Sequence, residues 1–195
     1  MNELNLMTTD KMIPNLEKPP INFDPKRKIF IKENVLDPDM CDSIIEFGKS
    51  NVIKGVNKYT HLFDISFHSC ILPLNHESHV KLSDTWNEIS EHLNMPIDFV
   101  EPYELKRYTP TDFFGKHTDN YFCHKDGIDR KITLSIQLTD ETDFTGGDFL
   151  ILNQPGPKAK GSIVAFPSFF PHEVKPIDTG VRWSLISWAW GKDFT

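Results

Sequence analysis

The stretch Ile132-Thr133-Leu134-Ser135-Ile136-Gln137-Leu138-Thr139 decides the fold class. Alternate residues read Ile, Leu, Ile, Leu on one face and Thr, Ser, Gln, Thr on the other. Successive side chains of an extended chain point to opposite faces, so this period of two predicts a β-strand with one apolar and one polar side. Such a strand has two uses. It lies on the outside of a sheet with its polar face in water, or it lines a barrel whose interior is a polar pocket. Periodicity alone leaves both open.

Around it, segments near 99–108, 148–153, 161–167, 171–176 and 181–190 are short and rich in β-branched and aromatic residues. Turn clusters separate them: Thr109-Pro110-Thr111-Asp112, Lys125-Asp126-Gly127, Thr145-Gly146-Gly147, Asn153 to Pro157 and Pro176 to Gly180. Many short strands at this spacing predict a sandwich or jelly roll. The first half differs. Phe30 and Ile31 predict a short strand, and Asp37-Pro38 supplies an N-cap with proline at the first helical position. Met40, Cys41, Ile44, Ile45 and Gly48 then share one face of a helix of about three turns. Leu82, Trp86, Ile89 and Leu93 predict a second helix over 78–94, and residues 51–77 read as strands joined by loops. Residues 1–22, with Pro14, Pro19 and Pro20 and no period, read as a flexible lead. The expectation is one domain over 23–195, with helical support over about 23–98 and a β core over about 99–191. No internal repeat or low-complexity tract interrupts it.

The chain has 195 residues, with 21 basic and 28 acidic side chains and a net charge of −7. A basic stripe is the mark of a dedicated nucleic-acid binder, so this balance argues against that class. Apolar runs such as Phe149-Leu150-Ile151-Leu152 are too short to span a bilayer. The amino terminus has no basic, then apolar, leader pattern. Three widely spaced cysteines, Cys41, Cys70 and Cys123, fit a reduced setting. A soluble, cytoplasmic protein without a membrane partner is therefore expected.

The chemistry begins at His117-Thr118-Asp119. On a strand, residues two apart share a face with Cα atoms roughly 6.5–7 Å apart. With a third ligand from elsewhere, such a pair suits Fe, Mn or Zn; the plain alternative is a surface or capping pair. His124-Lys125-Asp126 repeats the spacing but runs into Gly127, a turn signal. In Phe170-Pro171-His172-Glu173-Val174, the histidine sits where an apolar run ends, as either a third ligand or a partly buried core histidine. If Pro176 to Gly180 closes a hairpin, Val174 pairs with Arg182 and His172 with Ser184. Arg182 would then lie on the side of His172, roughly 7 Å away. An arginine in the apolar strand Val181-Arg182-Trp183-Ser184-Leu185-Ile186 implies an anionic partner. That partner is either an internal acid or the carboxylate of a ligand. A guanidinium one small-molecule length from a metal is what a dicarboxylate requires.

In order along the chain, Tyr108, His117-Thr118-Asp119, Gly146-Gly147, Gly161 to Phe166, Pro171 to Val174 and Gly180-Val181-Arg182 resemble the prolyl 4-hydroxylase-like branch of Fe(II)- and 2-oxoglutarate-dependent oxygenases, including its PKHD-type members. The resemblance covers roughly residues 99–191. It implies a double-stranded β-helix, a cupin-like jelly roll, with amino-terminal helices packed on it. It further implies His117, Asp119 and His172 as the ligands of Fe(II). Arg182 would bind the distal carboxylate of 2-oxoglutarate, with Tyr108 and, at the RxS spacing, Ser184 as further contacts. The implied reaction uses O2, decarboxylates 2-oxoglutarate to succinate, hydroxylates an unactivated C–H and admits ascorbate as a reductant. The substrate would be a peptide or protein side chain, or a small molecule. The polar face of Thr133, Ser135 and Gln137 would point into the pocket. The sequence departs from the pattern at Phe114 and Gln137, where relatives often carry tyrosine. Trp183, Trp188 and Trp190 read as core residues. His61, His68, His76 and His79 read as loop residues near the region where relatives place a substrate-covering loop.

Two other classes need the same three ligands. A non-catalytic, metal-binding jelly roll has no use for Arg182 or Tyr108, and a zinc hydrolase wants a general base in place of the arginine.

Overall fold

The computed structural model describes residues 28–54, 65–120 and 127–192. The lead at 1–22, His61, Cys123 and the second His-x-Asp at 124–126 lie outside the described residues. The amino-terminal part holds β1 (Phe30–Lys32), the helix α1 (Pro38–Asn51), three short strands β2 (Ile53–Lys54), β3 (Ile65–Ser66) and β4 (His68–Ile71), and the helix α2 (Ser78–Leu93). Strands then dominate: β5 (Phe99–Val100), β6 (Glu104–Tyr108), β7 (Phe113–His117), β8 (Ile128–Gln137), β9 (Phe144–Gly146) and β10 (Phe149–Ile151). They continue as β11 (Gln154–Pro155), β12 (Ile163–Pro167), β13 (His172–Val174), β14 (Ile177–Gly180) and β15 (Arg182–Lys192).

Both helices stand where their sequence signals place them. Asp37 caps α1 by accepting a hydrogen bond from the Met40 amide at 2.8 Å, and Pro38 opens the helix. The helix turns Cys41, Ile44 and Gly48 inward. A Cβ on Gly48 would come within 2.5 Å of Leu105 and 2.6 Å of Trp183, so its lack of a side chain lets the helix lie directly on the sheet. In α2, Leu82, Trp86, Ile89 and Leu93 are buried as the spacing predicts, and Asn94 ends the helix in the left-handed conformation. Burial pushes the Cys41 thiol up to about 11, as befits a packing residue.

The strands form two facing antiparallel sheets and a small ribbon. The major sheet runs β1-β12-β8-β15-β6-β4-β2, with β5 also paired to β15; the minor sheet runs β11-β10-β13-β7-β3. Ile132, Leu134, Ile136 and Leu138 pack against the helices in one core with Ile44, Leu82 and Ile89. Each fully buried Leu or Ile contributes about 1.5–3 kcal/mol. The opposite face is equally dry: Thr133, Ser135, Gln137 and Thr139 are all buried. The strand is therefore not an outer one. Its polar face looks into the space between the sheets, with helices behind the apolar face.

One pairing differs from the reading of the sequence. Pro176 to Gly180 does not close a hairpin between β13 and β15. Ile177–Gly180 is itself a strand, paired with Phe144–Gly146, a stretch the sequence presents as a turn. The chain crosses here from the minor to the major sheet. Val174 consequently pairs with Phe114 and Phe149, and His172 with His117 and Ile151. Arg182 pairs with Tyr108, and Ser184 with Lys106 and Gln137.

Candidate active site

The first histidine comes from the end of β7 and the second from the start of β13. These adjacent strands pair His172 directly with His117, and their ring centres lie 4.2 Å apart. Asp119 is not on the strand, as a simple i, i+2 reading has it, but on the bend just beyond it. Its amide donates to the Ser168 carbonyl at 2.8 Å, which folds the carboxylate back toward the imidazoles. The Nε2 atom of His117 stands 3.5 Å from Asp119 Oδ1, and that of His172 3.3 Å from Oδ2. One ligand atom from each residue lies within 4.8 Å of the others, a cluster that could hold a metal ion. The decoy at 124–126 is outside the described residues.

Each imidazole is oriented by a backbone carbonyl two residues earlier: His117 Nδ1 lies 2.8 Å from Gly115 O and His172 Nδ1 3.0 Å from Phe170 O. A carbonyl only accepts, so each Nδ1 donates and each Nε2 is left to face the cluster. Phe114 stacks on His117 with ring centres 3.8 Å apart, and Phe166 meets His172 edge-on at 5.0 Å. Asp119 Oδ2 accepts from Thr133 Oγ1 at 2.7 Å and from Trp188 Nε1 at 2.8 Å. Burial pushes the Asp119 carboxyl up. The charge on His172 and hydrogen bonds from both imidazoles outweigh it and hold the group well below the ordinary range. For His172, burial favours the neutral ring, but Asp119 prevails and raises its pKa.

The second half of the site is on β15 and β6. Arg182 is 3% exposed, and its Nη1 has no hydrogen-bond partner among the described residues. Burial lowers its pKa, partly offset by Tyr108 and Asp148. Its guanidinium carbon stands 5.6 Å from the ring centre of Tyr108, whose hydroxyl burial pushes upward. Tyr108 packs with Phe67, Phe67 with Phe114, and Phe114 stacks on His117, so the arginine and the imidazoles share one interior. Gly146 and Gly147 both have positive φ, and a Cβ on Gly147 would stand 3.4 Å from Arg182 Cδ. Ser184 faces the same interior, with its buried Oγ also unpartnered among the described residues. Gln137 donates instead to the Thr139 carbonyl at 2.8 Å.

An unpaired guanidinium nitrogen beside a His-Asp-His cluster is an incomplete structure. Residues 103–190 match the family described as the 2OG-Fe(II) oxygenase superfamily. Over those residues the chain is similar to that superfamily. The oxygenase region is similar to a PKHD-type hydroxylase of Idiomarina loihiensis, 28% identical over 44% of this chain and 40% of the relative. The chain thus spans less than half the length of that relative. It is also 24% identical to a putative prolyl 4-hydroxylase of Acanthamoeba polyphaga mimivirus, over 88% of this chain and 78% of the other. The fold matches the viral collagen prolyl hydroxylase of Paramecium Bursaria Chlorella virus-1 in its 2OG complex. That match has a TM-score of 0.66 and 20% identity, covering 84% of this chain and 96% of that one. That likeness establishes the jelly-roll fold of a double-stranded β-helix.

Several residues around this site escape a reading of the sequence. Trp183 is a core residue as expected. Trp188 is not: its indole bonds Asp119. Strand parity carries this signal, since 182, 184, 186 and 188 share a face. Lys106 shares the Tyr108 face by the same parity. It is buried, bonded to Glu104 at 2.6 Å and set 4.0 Å over the Phe67 ring. Ser168, whose Oγ is 3.1 Å from Thr133 Oγ1, has no local signal at all. His76 precedes α2 and His79 lies within it, against Tyr103 on the helix side of the sheet, away from the site. Among the described residues, no helix is long and apolar enough to cross a membrane.

Proposed function

We propose that the protein is an Fe(II)- and 2-oxoglutarate-dependent dioxygenase that hydroxylates an unactivated C–H of a peptide or protein side chain. His117, Asp119 and His172 would hold Fe(II), and Arg182 would anchor the distal carboxylate of 2-oxoglutarate beside Tyr108, with Ser184 as a further contact. The observation that carries this reading is the buried, unpartnered Nη1 of Arg182 in the same interior as the triad. A non-catalytic metal-binding jelly roll, as sensor or structural module, or a zinc hydrolase gives that nitrogen nothing to bind. When bound, Fe(II), 2-oxoglutarate and O2 together supply oxidative decarboxylation to succinate and insertion of an oxygen atom into a C–H bond.

The chain's own residues do the rest. Thr133 and Trp188 hold the Asp119 carboxylate at one edge, leaving Oδ1 toward His117. The carbonyls of Gly115 and Phe170 keep a proton on each Nδ1, so each Nε2 lone pair serves the ion. Phe67, Phe114 and Phe166 exclude water from the imidazoles, where charge-assisted bonds are stronger. Peptide substrates are supported by the likeness to a collagen prolyl hydroxylase; a small-molecule substrate is the alternative. Anaerobically iron-loaded protein should release succinate from 2-oxoglutarate once O2 is admitted, and a His117→Ala variant should not. Equal turnover by both would sink the reading.

A further inference from the structure

The hold on the Asp119 carboxylate extends beyond Thr133 and Trp188, which donate to it. The Trp188 indole lies against the Arg130 guanidinium, whose carbon is 4.1 Å from the ring centre. Arg130 in turn is gripped by Glu101: Nε donates to Oε1 at 2.6 Å and Nη2 to Oε2 at 2.9 Å. This fork fixes the plane of the guanidinium, and a cation over an indole face is itself attractive. Glu101 is anchored as well. Its carboxylate accepts from Trp190 Nε1 at 2.6 Å, its amide donates to the Trp188 carbonyl at 2.8 Å, and its carbonyl accepts from Ser187 Oγ at 2.8 Å.

The Arg130 and Glu101 side chains are only partly buried, at 22% and 24% exposed. A partly exposed ion pair by itself contributes little to stability. This one lies closest to the Trp188 ring, with the Trp190 ring farther off at 5.9 Å, and the Trp188 N–H reaches Asp119 of the cluster. We propose that Arg130 and Glu101 are positioning residues for the metal centre: they fix the Trp188 indole, and the indole fixes the Asp119 carboxylate. The chain Glu101–Arg130–Trp188–Asp119 reaches from β5's end across the major sheet to the ligand-bearing bend. It restrains Oδ2 of Asp119. Partners of this outer kind typically govern affinity by about 10- to 100-fold when removed.

The inference rests on reading His117, Asp119 and His172 as a metal site, and its test separates the two. Full-length protein stripped of metal is titrated with Co(II), following the visible absorption of the bound ion, with the thermal midpoint recorded alongside. Glu101→Gln and Arg130→Met should each weaken Co(II) about 10-fold and shift the absorption. Arg130→Lys, which keeps a cation over the indole without the fork, should fall between them and the unaltered protein. Trp188→Phe should match Arg130→Met, and combining the two should add nothing further, because both cut one chain. Unaltered affinity and spectrum in Glu101→Gln and Arg130→Met, whatever their thermal midpoints, overturn the proposal. So does a Trp188→Phe/Arg130→Met double variant whose loss is the sum of the singles. Should Arg130→Met fail to fold, the near-isosteric Glu101→Gln decides alone. Unaltered protein that binds no Co(II) removes the metal-site reading and this inference together.

Discussion

The two sheets of the barrel are built and used differently. The minor sheet consists of strands of two to five residues, and β7, β13 and the bend after β7 supply all three members of the His-Asp-His cluster. The major sheet contains the ten-residue β8 and eleven-residue β15, has both helices packed on its outer face, and supplies Thr133, Trp188 and Arg182. The cluster sits on the slighter frame, and the two donors that hold its carboxylate, Thr133 and Trp188, sit on the sturdier one. Strands this short cannot be stabilised by their own ladders, so the cluster's geometry is borrowed from across the barrel, through Thr133 and Trp188.

The comparison can be broken most decisively at the minor sheet. His117→Ala should abolish both Co(II) binding and 2-oxoglutarate-dependent succinate release while the thermal midpoint barely moves. A variant that still binds Co(II) as tightly would show that the cluster is not the metal site. On the helix-backed face, Leu134→Ala should cost about 2–5 kcal/mol in denaturant unfolding, because the cavity it leaves is walled by α1, α2 and the sheet. If its Co(II) affinity falls as far as its stability, the two layers are not separable. Arg182→Met should weaken 2-oxoglutarate about 10- to 150-fold, the equivalent of a lost charge-assisted bond of about 1.5–3 kcal/mol. Binding of the ion alone should be unchanged, and an equal loss of both would place Arg182 in the ion's frame. Thr133→Val removes one donor from Asp119 and should weaken Co(II) about 10-fold. No change would leave the carboxylate to Trp188 alone.

The smallest effect is on pH. Asp119 raises the pKa of His172, and a proton on Nε2 competes with a cation for the same lone pair. Co(II) affinity should therefore climb with pH until it passes the raised His172 value, and proton release on binding should shrink above it. A profile that is flat across neutral pH would exclude His172 as a ligand.

Legibility in the sequence followed the same division. The alternation at 132–139 and the helical spacing of α1 and α2 are long enough to read directly, because many residues repeat one demand. The His-x-Asp pair, the distal histidine and the arginine were visible as residue types, yet their mutual placement was not. The expected hairpin failed because residues 176–180 carry the chain between sheets, and pairing partners such as Phe144–Gly146 come from far along the chain. β7 carries His117 of the cluster but reads as no strand, since Phe113-Phe114-Gly115-Lys116-His117 has no period of its own. Glu101, Arg130 and Ser168 gave no sign at all. Their roles arise from contacts 29 to 89 residues apart, such as Trp190–Glu101, and no local pattern encodes those.

The carbonyls of Gly115 and Phe170 settle the tautomer of both imidazoles before any cation arrives. Loading the centre then demands no ring flip and no folding step, only displacement of a proton and some water. An ion lost to oxidation or to a chelator should accordingly be replaced quickly and reversibly.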